Sequence, residues 1–221
     1  MIDKMPFQLR AELETTVSPV ADPRADTAPG WRSGLPTLSD EVVTLRDLRI
    51  SDAPSLFAML STEEVRRYMS PPPIDVAGFE RFIAWAQSER AAGRYLCYAV
   101  VPNGYDVAIG IFQVRQIDPS FSIGEWGAAL GSQFWGVGIF EAGARLLMDF
   151  LFEDLGLHRL EARAAVQNGR ANGAARKIGA VPEGVARQGM KCRGQYHDQL
   201  MWSILAEDWR QSKIVYRPVV H

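Results

Sequence analysis

Three glycines within eight residues, Gly131, Gly136 and Gly138, mark a segment whose backbone N–H groups could bind a ligand. Residues 125–130 alternate in character and lack turn formers, which predicts a strand, and from Ile139 the spacing becomes helical. The first N–H groups of a helix have no partner inside it, and the helix dipole adds partial positive charge there. Glycines let such a backbone approach a bulky anion closely. The strand, loop and helix together predict a phosphate-binding site.

Two complementary stripes predict the helix that follows the loop. Its apolar stripe recurs with helical spacing at Ile139, Gly143, Leu146, Leu147, Phe150 and Leu151. Its charged stripe recurs every four residues at Glu141, Arg145, Asp149 and Glu153, with opposite charges at 141/145 and at 145/149. Gly156 stands where a left-handed residue would end the helix.

Several phosphate loops share this device, and the glycines alone leave alternatives open. Gly131 and Gly136 have the spacing of the nucleoside-triphosphate loop, but Val137 occupies the position of its lysine. Gly136 and Gly138 could begin a dinucleotide fingerprint, with Glu161 as the ribose acid. The third glycine of that fingerprint is missing, and the segments upstream look like an antiparallel hairpin, which is the wrong topology. A glycine-rich β–α corner without a ligand is the remaining alternative.

The loop Gln133-x-x-Gly136-x-Gly138 resembles the [R/Q]-x-x-G-x-[G/A] acetyl-CoA loop of the GNAT N-acetyltransferase superfamily. Four ordered segments resemble the RimJ/RimL-like branch of that superfamily, namely EWGAAL, FLFEDLGLHRLEARAAVQN, RKIGAVPEGVAR and GQYHDQLMWSILAEDW. The resemblance covers roughly residues 41–210. The order of four segments is far more specific than the loop alone.

This resemblance implies an α+β fold with a mixed, mostly antiparallel central sheet flanked by helices. It implies an acetyltransferase domain, placed at 38–221, with acetyl-CoA as co-substrate, an amine as acceptor and no metal. The prolines of residues 1–37 predict an extended arm before this domain. A backbone N–H near Ala129 or Leu130, where the family strand bulges, would hold the oxyanion. The pantetheine arm would lie in the opening between that strand and 158–166. The residues assigned to the cofactor are Ala129, Leu130, Gln133, Phe134, Trp135, Gly136, Val137, Gly138 and Asn168.

Two carboxylates match recurring family positions and are the catalytic candidates. Glu125 is the candidate general base, with a surface or paired carboxylate on the strand as its alternative, and Asp198 is the second candidate. Asn168 could instead be only a turn residue before a glycine. The branch often carries a serine able to protonate the leaving thiolate, and here Ala171 stands in its place. A non-catalytic acetyl-CoA or CoA sensor is therefore the alternative function.

Proton chemistry favours one class of acceptor. An α-amino group has a pKa near 7.7–8.0, against about 10.4 for a lysine side chain. At pH ~7.4 roughly a third of an α-amine is neutral, against about one part in a thousand for lysine. A well-placed general base typically contributes about 10²–10⁴-fold. With one plausible base, we expect an α-amine of a protein, peptide or small molecule.

Composition excludes several classes of partner. The chain has 221 residues, 47% of them hydrophobic and 23% charged, which is ordinary for a globular protein. With a net charge of −2 and no basic patch, a nucleic-acid partner has no support. No apolar run is long enough for a membrane span, and the N-terminus lacks a signal-peptide core. Two cysteines, Cys97 and Cys192, favour a reducing, cytoplasmic location.

Other patterns predict the elements around the loop. Strands are expected at 41–48, 95–101, 107–117, 121–130, 158–166, 185–190 and 198–205, and helices at 53–60, 62–68, 75–92, 139–155 and 171–178. Asn103-Gly104 is a strong hairpin signal, so the strands before the loop form an antiparallel meander. The arm is rich in proline but carries Phe7, Leu9, Leu13 and Trp31 as anchors. It is either a mobile tail or a segment packed on its own domain or on the partner subunit of a homodimer.

Overall fold

The structure is a computed structural model that describes residues 30–215, so the first 29 residues of the arm, with Phe7, Leu9 and Leu13, lie outside it. The strands are β1 (Leu38–Ser39), β2 (Val43–Asp47), β3 (Tyr95–Pro102), β4 (Gly110–Gln116), β5 (Ile123–Leu130), β6 (Arg159–Ala165), β7 (Val181–Cys192) and β8 (Gln195–Leu205). The helices are α1 (Ala53–Leu60), α2 (Glu63–Arg66), α3 (Val76–Ala91), α4 (Ile139–Asp149), α5 (Gly169–Lys177) and α6 (Ala206–Val215).

The eight strands form one sheet in the order β1-β2-β3-β4-β5-β6-β8-β7. Only the β5–β6 pair is parallel, and every other neighbouring pair in this sheet is antiparallel. The predicted α+β class and the meander before the glycine loop are therefore confirmed. Residues 30–215 do not form the doubly wound parallel sheet that the dinucleotide alternative requires.

Helices cover both faces of the sheet, and each face has its own apolar core. On one face α1 and α3 bury side chains such as Leu56, Phe79 and Phe82. On the other face α4, α5 and α6 pack against Phe112 and Trp202 among others. We call these the α1–α3 face and the α4–α6 face. Since side chains alternate along a strand, each strand contributes to both faces.

The helix after the glycine loop forms as its two stripes predict. A Cβ on Gly143 would lie 2.8 Å from the Phe112 ring, so glycine lets α4 lie close to the sheet. Arg145 bonds Glu141 at 3.1 Å as expected. The expected pair of Arg145 with Asp149 is not among the observed ion pairs; Asp149 instead pairs with Lys213 and accepts a 2.7 Å hydrogen bond from Trp209 Nε1, both on α6. A π-helical turn over Phe150–Asp154 extends α4, and Gly156 follows with φ of 72°.

The C-terminal hairpin is longer than the sequence predicted, because β7 and β8 extend to a tight turn after Cys192. Two register shifts interrupt β7, so the alternation of inward and outward side chains that identifies a strand is not visible in its sequence. At the tip, Arg193 lies 3.2 Å from Glu63, and Cys192 Sγ lies 3.5 Å from the Met69 carbonyl. The hairpin tip therefore contacts α2 and the segment after it, next to the α1–α3 face.

The described end of the arm packs on the domain. Trp31 is 6% exposed and its ring centroid lies 5.6 Å from that of Phe121. Leu35 is also buried, and both side chains belong to the core of the α4–α6 face. Of the two expectations for the arm, residues 30–37 follow the one in which it packs on its own domain.

Candidate functional site

β5 and β6 pair over a short stretch and then separate. Ile123–Glu125 pairs with Arg159–Glu161, and the parallel ladder ends there. Beyond it β5 continues along β4 to Leu130, while β6 continues along β8 to Ala165. This leaves an opening inside the sheet between the second halves of β5 and β6, where the resemblance placed the pantetheine arm.

The hydrogen-bond pattern of β5 decides which of its N–H groups face this opening. Gly131 N donates to the Ile109 carbonyl at 2.9 Å, across from β5. In an antiparallel ladder the direction of the backbone groups alternates, so the N–H of Ala129 also points towards β4. The N–H groups of Ala128 and Leu130 then point towards the opening. Of the two predicted oxyanion donors, Leu130 and not Ala129 has the suitable direction.

The bulge expected in β5 is absent. β5 pairs with β4 in unbroken register from Gly124 to Leu130. The irregularity lies in the neighbouring strand at Ile109, whose N–H donates to Val100 while its carbonyl accepts from Gly131. A Cβ on Gly110 would lie 2.2 Å from the Ala129 carbonyl oxygen, so this crossing depends on glycine. The backbone groups that change direction therefore belong to Ile109, immediately before β4, and not to β5.

The glycine loop presents free backbone donors to open space. Gly136 and Gly138 have φ of 78° and 88°, and a Cβ on either would meet no atom within 4 Å. Gly138 is the N-cap of α4, and because glycine has no side chain it cannot accept hydrogen bonds from the first N–H groups of the helix. The first intrahelical bond runs from Ala142 N to Gly138 O. The three N–H groups between them therefore have no partner inside the helix, as an anion site requires.

The other loop residues have different environments. Gln133 is exposed, and its Nε2 lies 3.3 Å from Met59 Sδ of α1. Val137 is 60% exposed and lies beside the free donors. Phe134 packs against the core of the α4–α6 face, so its side chain serves the fold.

Trp135 links the loop to α5. Its Nε1 donates to the Leu130 carbonyl at 2.9 Å, and the Arg170 guanidinium lies 4.2 Å from its ring centroid. Because the Leu130 carbonyl faces the opening, Trp135 stands at the edge of the opening. Arg170 was missed from the sequence, although a cation two residues after Asn168 was available as a signal.

Two asparagines hold the start of α5. Asn168 Oδ1 accepts from Ala171 N at 3.1 Å, so Asn168 is the N-cap, as its turn alternative suggested. Asn172 is buried and was missed by the sequence analysis. It donates to the Ala165 carbonyl at 3.0 Å and accepts from Trp202 Nε1 at 3.0 Å. These bonds fix the end of β6 where it stands away from β5.

Glu125 lies at the last paired position of β5, on the α1–α3 face. It is 2% exposed, and its carboxylate accepts from Arg115 Nη2 at 2.5 Å. Arg163 Nε approaches the other carboxylate oxygen to 3.7 Å. Glu125 is thus buried, not at the surface, and paired with Arg115 as one of its alternatives described, while its role as general base stays a prediction.

Glu125 belongs to a row of alternating charges that crosses the sheet. We define the charged row by six side chains of one face, in spatial order Arg115, Glu125, Arg163, Glu161, Arg159 and Glu183. Arg159 bonds Glu161 at 3.0 Å and Glu183 at 2.7 Å. The hydrogen bond from Arg159, with a second from Ser203, lowers the pKa of Glu183 to about 2. The same pairing raises the pKa of Arg159 above its usual value.

Asp198 lies elsewhere. Its Oδ1 accepts a 2.7 Å hydrogen bond from the backbone N–H of Gln188, at the second register shift of β7. Alternation along β8 places Asp198 on the side of Leu200 and Trp202, on the α4–α6 face. The structure does not bring the two catalytic candidates together, and the observed contact of Asp198 stabilises the hairpin.

Residues 30–215 hold neither a metal-binding cluster nor a membrane-spanning helix. Among residues 30–215, His, Cys, Asp and Glu side chains nowhere gather in a group of three or more that could hold a metal ion. Within the same range no helix is both long enough and apolar enough to cross a membrane.

Comparison with known proteins agrees with this geometry. Residues 43–181, more than half of the chain, match the acetyltransferase (GNAT) domain family. The uncharacterized N-acetyltransferase p20 of Bacillus licheniformis is 28% identical over 174 residues, 78% of this chain and 98% of that protein. YdaF of Bacillus subtilis strain 168, provisionally named a ribosomal N-acetyltransferase, is 33% identical over 105 residues, 48% of this chain and 56% of that protein.

Solved structures share the fold. A GCN5-related N-acetyltransferase from Brucella melitensis superposes with a TM-score of 0.71 at 26% identity, over 82% of this chain and 83% of that one. RimL, a ribosomal L7/L12 α-N-protein acetyltransferase in complex with CoA, superposes with a TM-score of 0.71 at 19% identity, over 77% and 98%. These relatives are named as acetyltransferases and give the sensor alternative no support. The chain belongs to the GNAT acetyltransferase family, and RimL and YdaF are among the proteins that it resembles.

Proposed function

We propose that this enzyme transfers the acetyl group of acetyl-CoA to an α-amine, and that the two substrates meet at the opening between β5 and β6. One observation carries the proposal. The parallel ladder ends at Glu125 and Glu161, and the opening beyond it lies between free donors of the glycine loop and a row of charged side chains. A cofactor and an acceptor can therefore approach the same point from opposite ends.

The residues around the opening suit the CoA moiety. The free N–H groups at the start of α4 would bind its pyrophosphate, and the open space at Gly136 and Gly138 permits close approach. The Leu130 N–H would donate to the thioester carbonyl oxygen as that oxygen gains charge. Asn168 Oδ1 is used by its cap, which leaves the side-chain amide nitrogen for the pantetheine arm.

Acetyl-CoA supplies an acyl group on a sulfur that departs readily as thiolate. The neutral amine forms the new C–N bond, the C–S bond breaks, and the amine proton is released. A serine at 171 would have protonated the sulfur, and Ala171 has no proton to give. A thiolate is stable enough near neutral pH to leave without that help.

The environment of Glu125 supports the α-amine class. If Glu125 accepted the proton of the amine, it would give up its charge-assisted bond with Arg115 at 2.5 Å. We therefore assign Glu125 a positioning role at the end of the ladder. A site without a strong base suits an amine that is already partly neutral at physiological pH. The names of RimL and YdaF, which refer to α-N-protein and ribosomal acetylation, point the same way.

The test is a thiol-release assay with peptides that carry a free α-amine, a lysine side chain, or both. We expect CoA to be released with every peptide that has a free α-amine, and mass spectrometry to place the acetyl group there. A preference for the lysine side chain would overturn the α-amine assignment. Binding of acetyl-CoA without thiol release for any amine would instead favour the sensor function.

A further inference from the structure

Arg163 differs from the other two arginines of the charged row. Arg115 has a carboxylate oxygen at 2.5 Å, and Arg159 has two carboxylates within hydrogen-bond distance. Within residues 30–215, the carboxylate contacts of Arg163 are at 3.7 Å to Glu125 and 3.8 Å to Glu161. Both distances are too long for a hydrogen bond. The guanidinium of Arg163 is held in place by two charges but is not bonded to either.

The place of Arg163 in the sheet is next to the opening. It lies on β6 two residues after Glu161, the last residue paired with β5. Alternation puts its side chain on the α1–α3 face, together with Glu125 and Glu161. The side chain is 36% exposed, against 3% for Glu125, so solvent or a ligand can reach it. A cation with free donors thus lines the opening, just beyond the end of the parallel ladder.

We propose that Arg163 binds a carboxylate of the amine acceptor, a proposal that rests on the transferase function above. A guanidinium has five N–H donors in a planar fork that suits a carboxylate with two parallel bonds. Glu125 and Glu161 each have another arginine of the row within reach, at 2.5 and 3.0 Å. Arg163 can therefore turn towards a ligand without leaving either carboxylate unpaired.

The same two glutamates favour a carboxylate over a phosphate. A ligand anion on Arg163 would lie near two negative charges, and like charges repel in proportion to the charge carried. A singly charged carboxylate meets about half the repulsion of a doubly charged phosphate group. The carboxylate could be the α-carboxylate of a free amino acid or an acidic side chain close to a peptide N-terminus. The chemistry is shared, so the experiment must separate these two sources.

The experiment measures kcat/KM for acceptors that differ only in one charge. The first pair is a free amino acid and its carboxamide, and the second is a peptide with Asp or Asn as its second residue. We expect the charged member of one pair to be preferred by about 10–100-fold, the usual size of a charge-assisted hydrogen bond. The pair that shows the preference identifies the source of the carboxylate.

Arg163→Gln should reduce this preference to near unity, through a higher KM for the charged acceptor. Arg163→Lys keeps the charge but loses the fork, so it should retain part of the preference. Arg210→Gln makes the same chemical change on α6, where Arg210 faces Glu153 at 3.3 Å, and should leave the preference as it is. Circular dichroism melting checks that each variant is folded.

The outcomes separate this proposal from the transferase function. If neutral and charged acceptors are acetylated equally, or if Arg163→Gln keeps the full preference, Arg163 is not the acceptor anchor while the transferase function stands. If no amine in either pair is acetylated, both proposals fail. A preference lost in Arg163→Gln and Arg163→Lys alike would assign the effect to the fork and not to the charge.

Discussion

The two ends of the opening between β5 and β6 offer different kinds of binding groups. At the end proposed for the cofactor, called the cofactor end below, the groups that can bind are backbone N–H donors, presented by Gly136, Gly138 and the first turn of α4. At the end proposed for the acceptor, called the acceptor end below, they are the side chains of the charged row, from β4, β5, β6 and β7. A backbone site depends on local conformation, whereas the row depends on the register of four strands.

Because of this difference, the two ends tolerate different kinds of substitution. Backbone donors persist under most side-chain changes, provided that the positive φ angles are kept. A charged row loses its balance when one member is removed, because its neighbour is left as a buried or half-buried charge. We therefore expect damage at the cofactor end to act on binding and damage at the acceptor end to act on stability and specificity.

The largest effect is expected at the acceptor end. Glu125→Ala removes the 2.5 Å partner of Arg115 in a buried setting, and should cost about 3 kcal/mol of unfolding free energy. Chemical denaturation measures it. Glu153→Ala, which removes an exposed partner of Arg210, should cost less than about 1 kcal/mol. Equal losses for the two variants would show that burial of the row contributes nothing.

At the cofactor end, Gly138→Asn places a side chain in the open space beside the free donors. Asparagine tolerates positive φ, so the fold should survive while acetyl-CoA affinity falls about 10–100-fold through lost charge-assisted bonds. Gly104→Asn is the matched control, since Gly104 has φ of 84° with no atom within 4 Å but lies in the β3–β4 turn. Calorimetry should find its affinity unchanged. Undiminished binding by folded Gly138→Asn would remove the loop from the cofactor site.

A smaller effect should follow from Trp135→Phe, which keeps a ring for Arg170 but loses the indole bond to Leu130. One such bond contributes about 1 kcal/mol, so we expect acetyl-CoA to bind roughly 5-fold more weakly. Trp209→Phe loses a comparable indole bond, to Asp149, on α6. It should lower the melting temperature without changing affinity. If both variants bind acetyl-CoA as tightly as the unaltered protein, Trp135 has only a structural role.

The smallest effect concerns the far end of the charged row and depends on pH. Because Arg159 lowers the pKa of Glu183 to about 2, the ionised carboxylate stabilises the fold above the usual glutamate pKa of about 4.3. That contribution is lost as the pH falls from about 4.3 towards 2. Since Glu183 is 39% exposed, it should stay below about 1 kcal/mol. Denaturation curves should show Glu183→Gln less stable than the unaltered protein at pH 7 and equally stable near pH 2. A constant difference would contradict the pairing.

The local conformations of the glycine loop and its helix were predictable because their signals are local. The Gly136 and Gly138 conformations, the stripes of α4 and the Asp75 cap of α3, which accepts from Gly78 N at 2.6 Å, all depend on neighbours within a few residues. The alternation of the C-terminal hairpin was obscured by its register shifts, so β7 and β8 were predicted too short.

The acceptor end was not predictable in the same way. Glu125 was recognised, but its partners Arg115 and Arg163 lie 10 and 38 residues away, and only strand register brings them together. The missing bulge in β5 is a similar case. The irregular backbone is at Ile109, next to β4. The sequence of β5 alone does not indicate whether the irregularity lies in β5 or in the strand beside it.

The short ladder between β5 and β6 also bears on how the molecule opens. Within the sheet of residues 30–215, strands β1 to β5 are joined by successive antiparallel pairings, and three residue pairs of the parallel ladder connect them to β6, β8 and β7. The core of the α4–α6 face also joins the two sets of strands, so a local opening at this ladder does not require the core to unfold. A ligand lying in the opening would add contacts to both sets at once. Substrate binding would then suppress this local opening and slow amide hydrogen exchange along both strands that border it.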